Sequence, residues 1–386
     1  MKKIRVKINQ NTFRKLRKMA EDKGFGDDDM DAFFRYITQD MASNQTVDDD
    51  IKETTMKGML PMWMRNFADN LPYIRFGDDL RLERGSSKMR DIRELGMPMP
   101  QIVDGHWIPE PKPAIVIGRG PSVFKHKHIK MLSEAVHSGE YTGYICATDG
   151  VLIECLKYDL IPDLTLTVDG SPIIKKWFDH PLVKEHAKKL KLIFLTTVNH
   201  QVYQIVRNFG CKVYWAMALW DNWTEETSFT KITRLMATVN SGETPIPAIQ
   251  TGGNAGTCIW AMTIDILKAA PTCLIGYDMG YPEGTKLEET PYFSGVMLAS
   301  KEQNIPIANC ISQVFEKFYH PVFKTYAHAD LVFQNYRKSL LQMQNQTYPW
   351  YRLHGGTINC SEGGTLYGEN ITCMKFERFL EKFKSN

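Results

Sequence analysis

The chain has 386 residues, 43% hydrophobic, 24% charged and 11% aromatic. These proportions fit a globular protein of two or three structural units and exclude a chain disordered throughout. Lys plus Arg number 47 against 44 Asp plus Glu, a net charge of +3, which excludes a protein that coats nucleic acid over its whole surface but leaves room for a local basic patch.

The N-terminal stretch 1–45 reads strand, helix, helix. Lys3 to Ile8 alternates basic and apolar residues, the period of a strand. Asn11 or Thr12 can cap a helix carrying Phe13, Leu16 and Met19, and a second helix follows with Phe33, Phe34 and Ile37 on one face. Residues 46–112 read as a linker or accessory segment, because four prolines fall within 98–111 and two more at 113 and 121.

From 113 to 285 the pattern is regular. Apolar runs (AIVIGRGPS, YTGYICATDG, DLTLTVDGSP, LKLIFLTTVNH, CKVYWAMAL, PTCLIGYDMGY) alternate with helical stretches, among them one over 173–190. Buried β-branched runs alternating with helices predict an α/β fold with a doubly wound, mostly parallel, Rossmann-like sheet. Residues 286–386 read as a C-terminal extension, with a helix over Asp330–Gln346, a strand and Gly-rich loop in TINCSEGGTLYGENI, and a closing helix bearing Phe376, Phe379, Leu380 and Phe383 on one face. No run of about 18 apolar residues occurs, so no transmembrane helix is expected. The N-terminal charges interrupt the apolar stretch that a signal peptide needs, so a cytoplasmic protein is expected. The eight cysteines are scattered without a CxxC, and most read as buried, reduced thiols rather than zinc ligands.

In open parallel sheets, ligands bind beyond the carboxyl ends of the strands. Gly118 and Gly120 allow close backbone approach there, and Ser122 offers a hydroxyl and an amide to a phosphate. Gly252, Gly253, Asn254 and Thr257 form a second Gly-rich helix start, where free N–H groups favour an anion. Asp149 and Asp169, each followed by Gly, read as holders of Mg²⁺ or of a ribose hydroxyl, with turn capping as the alternative. Asp169, Asp278 and His200 are the candidate catalytic groups, His200 as a general acid or base or as a structural cap. Trp215, Trp220 and Trp223 can form a stacking wall or belong to the core.

The ordered motifs IVIGRGPS, ATDGVL, IPDLTLTVDGSP, TTVNH, TGGNAGT, IGYDMGY and TINCSEGGTLYG resemble those of the 6-hydroxymethylpterin diphosphokinase MptE-like family over about residues 110–370. That family includes motility accessory factors and is distantly similar to bacterial sialyltransferases with a GxGPS loop. The resemblance implies a transferase. One form is a kinase-type, Mg²⁺-dependent transfer of diphosphate from ATP to a pterin-like acceptor. The other is a glycosyltransferase using a CMP-activated nonulosonic sugar. The length of this chain departs from the compact diphosphokinases. The segment 1–45 resembles a ribbon-helix-helix module, with nine Lys or Arg in residues 1–24 including Arg5 and Lys7. This leaves three roles for it: docking on the catalytic domain, forming a homodimer, or binding DNA. A non-catalytic nucleotide- or DNA-binding protein is the remaining alternative.

Overall fold

The four residues Ala114-Ile115-Val116-Ile117 are all buried, with no polar alternation. Such a run fits a strand covered on both faces. In the computed structural model, which describes residues 58–77, 90–222, 225, 226, 228–237 and 246–385, this is what it becomes. Ala114 and Val116 point into one hydrophobic cluster, Ile115 and Ile117 into another on the opposite face.

Contacts divide the chain into two units, residues 1–61 and 62–386. The strand–helix–helix expected over 1–45, with Arg5 and Lys7, lies outside the described residues. In the larger unit the strands in chain order are β1 (Gln101–Val103), β2 (His106–Ile108), β3 (Ala114–Ile117), β4 (Tyr144–Thr148), β5 (Leu164–Thr167), β6 (Lys191–Leu195) and β7 (Lys212–Ala218). They continue with β8 (Ala248–Ile249), β9 (Thr272–Ile275), β10 (Tyr281–Pro282), β11 (Glu316–His320), β12 (Thr325–Ala329), β13 (Thr357–Asn359) and β14 (Ile371–Cys373). Among the described residues, nine of them form one parallel sheet in the order β14-β13-β9-β3-β4-β5-β6-β7-β8. The fold is therefore α/β and doubly wound.

The strand order places the site. From β3 the chain steps outward through β4 to β8, then returns to lay β9 on the other side of β3. Successive connections therefore diverge at β3 and β9. A crevice opens beyond their carboxyl ends, the general ligand position of open α/β sheets.

Several expectations are corrected. The helix expected over 173–190 is two short ones, Lys175–Phe178 and Pro181–His186, because Asp179-His180-Pro181 starts a new helix, with Pro181 in its first turn and His180 Nδ1 accepting from Leu182 N. No strand was expected over Ala248–Ile249, where β8 falls. Residues 286–386 hold the strand expected in TINCSEGGTLYGENI, which is β13, and further strands beside it. They add β13 and β14 to the main sheet, and β11 and β12 pair with β10 in a three-stranded antiparallel sheet.

The described part of 46–112, read as a linker or accessory segment, holds regular structure. A helix over 58–76 carries two buried asparagines against the main sheet. Asn66 Nδ2 donates to Gly170 O (2.9 Å) and Thr197 O (3.1 Å), and Asn70 Nδ2 donates to Thr196 O (3.1 Å) and Val198 O (2.8 Å). Downstream, β1 and β2 form a hairpin through Asp104-Gly105, both at positive φ. The thiol reading agrees with the structure: all eight cysteines are free, and seven of them are buried. Among the described residues, no helix is long and apolar enough to cross a membrane.

The two asparagines satisfy main-chain carbonyls that lie at strand ends, where no ladder partner reaches them. Replacing Asn70 with Ala leaves Thr196 O and Val198 O without that donor. The expected cost is about 2–3 kcal/mol of folding stability, read as a lower urea midpoint at an unchanged denaturant slope.

Candidate functional site

The turn after β3 and the turn after β9 lie against each other. Gly118 N donates to Ile275 O and Gly120 N to Gly276 O, each at 2.8 Å. A Cβ on Gly120 would run into the Asp278 carboxylate and come within 2.5 Å of Gly276 O. These glycines therefore serve strand–strand closeness, and their N–H groups are spent on it. A Val at position 120 would test packing as much as ligand binding.

Across this contact lies Asp278, 4% exposed. The Ser122 hydroxyl donates to its Oδ2 at 2.6 Å and the Ser122 amide at 3.3 Å. Burial pushes the Asp278 carboxyl up to about 6, against the lowering effect of the Ser122 hydrogen bonds. The loop after β13 grips the same segment. Thr365 N donates to Asp278 O (2.8 Å), Thr365 Oγ1 to Met279 O (2.7 Å), and Tyr277 N to Ser361 Oγ (2.9 Å).

On the other side of β3, Asp149 and Asp169 follow β4 and β5. Asp149 accepts from Gly150 N (2.7 Å) and from Thr167 Oγ1 (2.6 Å). Burial raises it to about 6; the charge of Asp169 adds to the rise, and Arg119 opposes it. Asp169 accepts from Ser171 N at 2.7 Å. The capping reading and the ligand reading thus coexist, since each carboxylate oxygen can accept again.

The second Gly-rich segment is built as a helix start. Gly252 and Gly253 sit at φ +62° and +85°, the left-handed region that glycine enters without strain. Asn254 caps the helix Ala255–Asp265, its Oδ1 accepting from Thr257 N at 2.9 Å while its Nδ2 donates to Thr257 Oγ1. Thr257 is fully buried. Tyr336, from the helix Leu331–Asn345, lies against Gly253, and both Asp169 and Asp330 act electrostatically on its hydroxyl. The segment therefore faces the same crevice.

His200 stands apart. Its Nδ1 pairs with Asn70 Oδ1 (2.8 Å) and its Nε2 with Gln204 Nε2 (3.0 Å), which makes Nδ1 the protonated nitrogen. Burial lowers its pKa. With both nitrogens engaged, it serves as the post on which helix 58–76 rests. Trp220 stacks on Trp63 with centroids 4.1 Å apart, and Trp215 is core; Trp223 lies outside the described residues.

Three residues that the sequence reading passed over belong to the site. Arg119 donates from Nε to Gly150 O at 3.0 Å, and its guanidinium lies 4.5 Å from the Trp177 ring centroid. Tyr336 is the third. Arg119 was legible as the residue between the two glycines of GRGPS. Trp177 and Tyr336 gave no sequence signal, because each arrives from a helix distant in the chain. Among the described residues, no group of three or more His, Cys, Asp or Glu could hold a metal.

Asp149 and Asp278 are held above the ordinary carboxylate range by the fold, so the folded chain keeps protons that the unfolded chain releases. Stability attributable to them is lost as pH rises from about 4 through about 6. For Asp149→Asn and Asp278→Asn, the melting temperature relative to wild type is expected to be more favourable at about pH 8 than at about pH 5. A pH-independent difference would contradict the desolvation of these groups.

With this geometry in place, comparisons with known proteins acquire meaning. Residues 97–284 match the family described as 6-hydroxymethylpterin diphosphokinase MptE-like. No curated protein matches the chain. Among solved structures, a MAf glycosyltransferase from Magnetospirillum magneticum AMB-1 shares the fold with a TM-score of 0.50 at 12% identity, over 82% of this chain and 39% of that one. The chain thus spans well under half the length of that protein. Motifs and fold agree on one relationship: an MptE-like region over residues 97–284, on a scaffold also seen in a MAf glycosyltransferase.

Proposed function

We propose that this protein is a transferase whose nucleotide-activated donor binds beyond β3, β4 and β5. The observation that carries the reading is that Arg119, on the turn after β3 where the strand order reverses, acts on Asp149, on which Asp169 acts as well. The finer reading is diphosphate transfer from ATP to a pterin-like acceptor. In it the acceptor hydroxyl attacks the β-phosphorus in line, AMP leaves, and the chain contributes positioning and charge neutralisation. A proton leaving that hydroxyl has a route to Asp278 through the Ser122 hydroxyl, which already donates to it at 2.6 Å.

This reading requires Mg²⁺, since the charge of a triphosphate adds to that of Asp149 and Asp169, more than Arg119 and Lys176, the two cations over the Trp177 ring, can offset. The donor set fits: two hard carboxylates, with phosphate oxygens and water to complete the shell. Asp149 and Asp169 would hold the ion, which would neutralise phosphate charge. A second reading, transfer of a nonulosonic sugar from a CMP-activated donor, needs less neutralisation, because its phosphodiester carries a single charge that Arg119 can pair without a metal. The shared scaffold, which extends beyond residue 284, also supports it.

Incubation with ATP and a hydroxymethylpterin, and separately with a CMP-activated nonulosonic sugar, followed by chromatography of the nucleotides, tests both. AMP is expected from the first and CMP from the second; release of neither overturns the transferase reading. Under the diphosphotransfer reading, Asp169→Asn is expected to raise the Mg²⁺ concentration for half-maximal rate about tenfold, the loss of one charged ligand. An unchanged Mg²⁺ titration would confine Asp169 to capping its turn.

A further inference from the structure

We infer that Arg119 and Trp177 form a clasp for a phosphate group of the nucleotide donor. Arg119 is the residue that touches the phosphate and Trp177 the positioning residue that sets its plane. The inference deepens the transferase reading and rests on it.

The starting point is which donors remain. The N–H groups of Gly118 and Gly120 bond to Ile275 O and Gly276 O, and both donors of Ser122 point to Asp278. The β3 turn therefore has little main-chain capacity left for an anion. Arg119 differs from the rest of the turn. It is exposed, and its Nε donates to Gly150 O at 3.0 Å. The outer edge of the fork, Nη1 and Nη2, is left with no hydrogen-bond partner among the described residues.

That edge is fixed in space. The guanidinium lies 4.5 Å from the Trp177 centroid, which Lys176 Nζ also approaches at 4.6 Å, and the indole packs against the larger hydrophobic cluster on a helix whose next residue, Phe178, is fully buried. Stacking holds the planar group without using its donors. Gly150 supplies an independent sign of fit: a Cβ there would collide with Arg119 Cδ, so the chain leaves room for the arginine to cross. A preset fork with a free edge, beside two carboxylates able to share a cation with the same ligand, suits bidentate recognition of a phosphate.

The test measures binding of ATP, CMP, adenosine and cytidine by titration calorimetry, with and without Mg²⁺, with melting temperature as the control for folding. ATP or CMP is expected to bind wild type, and Arg119→Gln to weaken it at least about tenfold at an unchanged melting temperature, as for loss of a charge-assisted pair. Adenosine and cytidine, lacking phosphate, are expected to bind both proteins alike. Arg119→Lys is expected to restore little, because an ammonium neither stacks nor forks. Trp177→Leu is expected to weaken nucleotide binding in the wild-type background and to have no further effect with Arg119→Gln. Equal nucleotide affinity of wild type and Arg119→Gln overturns the clasp while leaving the transferase reading intact. Full rescue by Arg119→Lys, or additive effects of the two substitutions, overturns the role of Trp177. Failure of wild type to bind either nucleotide overturns both readings together.

Discussion

The close approach of the turns that follow β3 and β9 is the constraint on which the rest of the site depends. Gly120 N reaches Gly276 O at 2.8 Å, and no side chain fits between them. Once the turns meet, Asp278 is enclosed, and its carboxylate is held chiefly by the Ser122 hydroxyl and amide. Ser122 is thereby committed to the β9 side. Arg119, three residues earlier on the same turn, is left to the β4 side, where Gly150 makes room for it. A single tight turn thus sorts its polar residues onto two walls of one crevice.

The elements that enclose this turn come from distant parts of the sequence. The loop 361–365 seals Asp278 from above and is itself pinned through Glu362, which accepts from Phe376 N (3.1 Å) and pairs with the buried His128 at 3.3 Å. His128 opens the helix His128–His137, the second after the GRGPS turn, so both flanks of Asp278 are tied to each other as well as to it. On the far side, Asn66 and Asn70 bring helix 58–76 over the ends of β5 and β6. Each tie satisfies main-chain groups at strand ends, where a sheet has no ladder partner to offer.

Two carboxyls raised to about 6 within one crevice are a cost that the sheet absorbs. Strands buried on both faces supply the apolar contact that makes such groups tolerable. Raised carboxyls cluster where chemistry is done more often than elsewhere, though structural networks also produce them. Here Asp278 follows β9, at the strand-order reversal that topology alone marks for a ligand, and Asp149 follows β4, the neighbour of β3.

The sequence by itself determined the α/β class and the strand edges of the sheet. Fully apolar β-branched runs such as Ala114–Ile117 have few other stable environments, and a Gly-flanked carboxylate at the end of such a run must lie at its carboxyl edge. Asp149, Asp169 and Asp278 were legible in this way. What they touch was not. That Asp278 faces Ser122 while Asp149 faces Arg119 follows from the order β9-β3-β4, and strand order is set by crossovers that leave no local trace. His200 read as a catalytic candidate because its edge position is right, but its nitrogens were given to Asn70 and Gln204 by packing across 130 residues and across one helical turn. Trp177, Tyr336 and the helix over 58–76 carry no motif, and only the tertiary structure could assign them, because their roles arise from surfaces that meet after the sheet has formed.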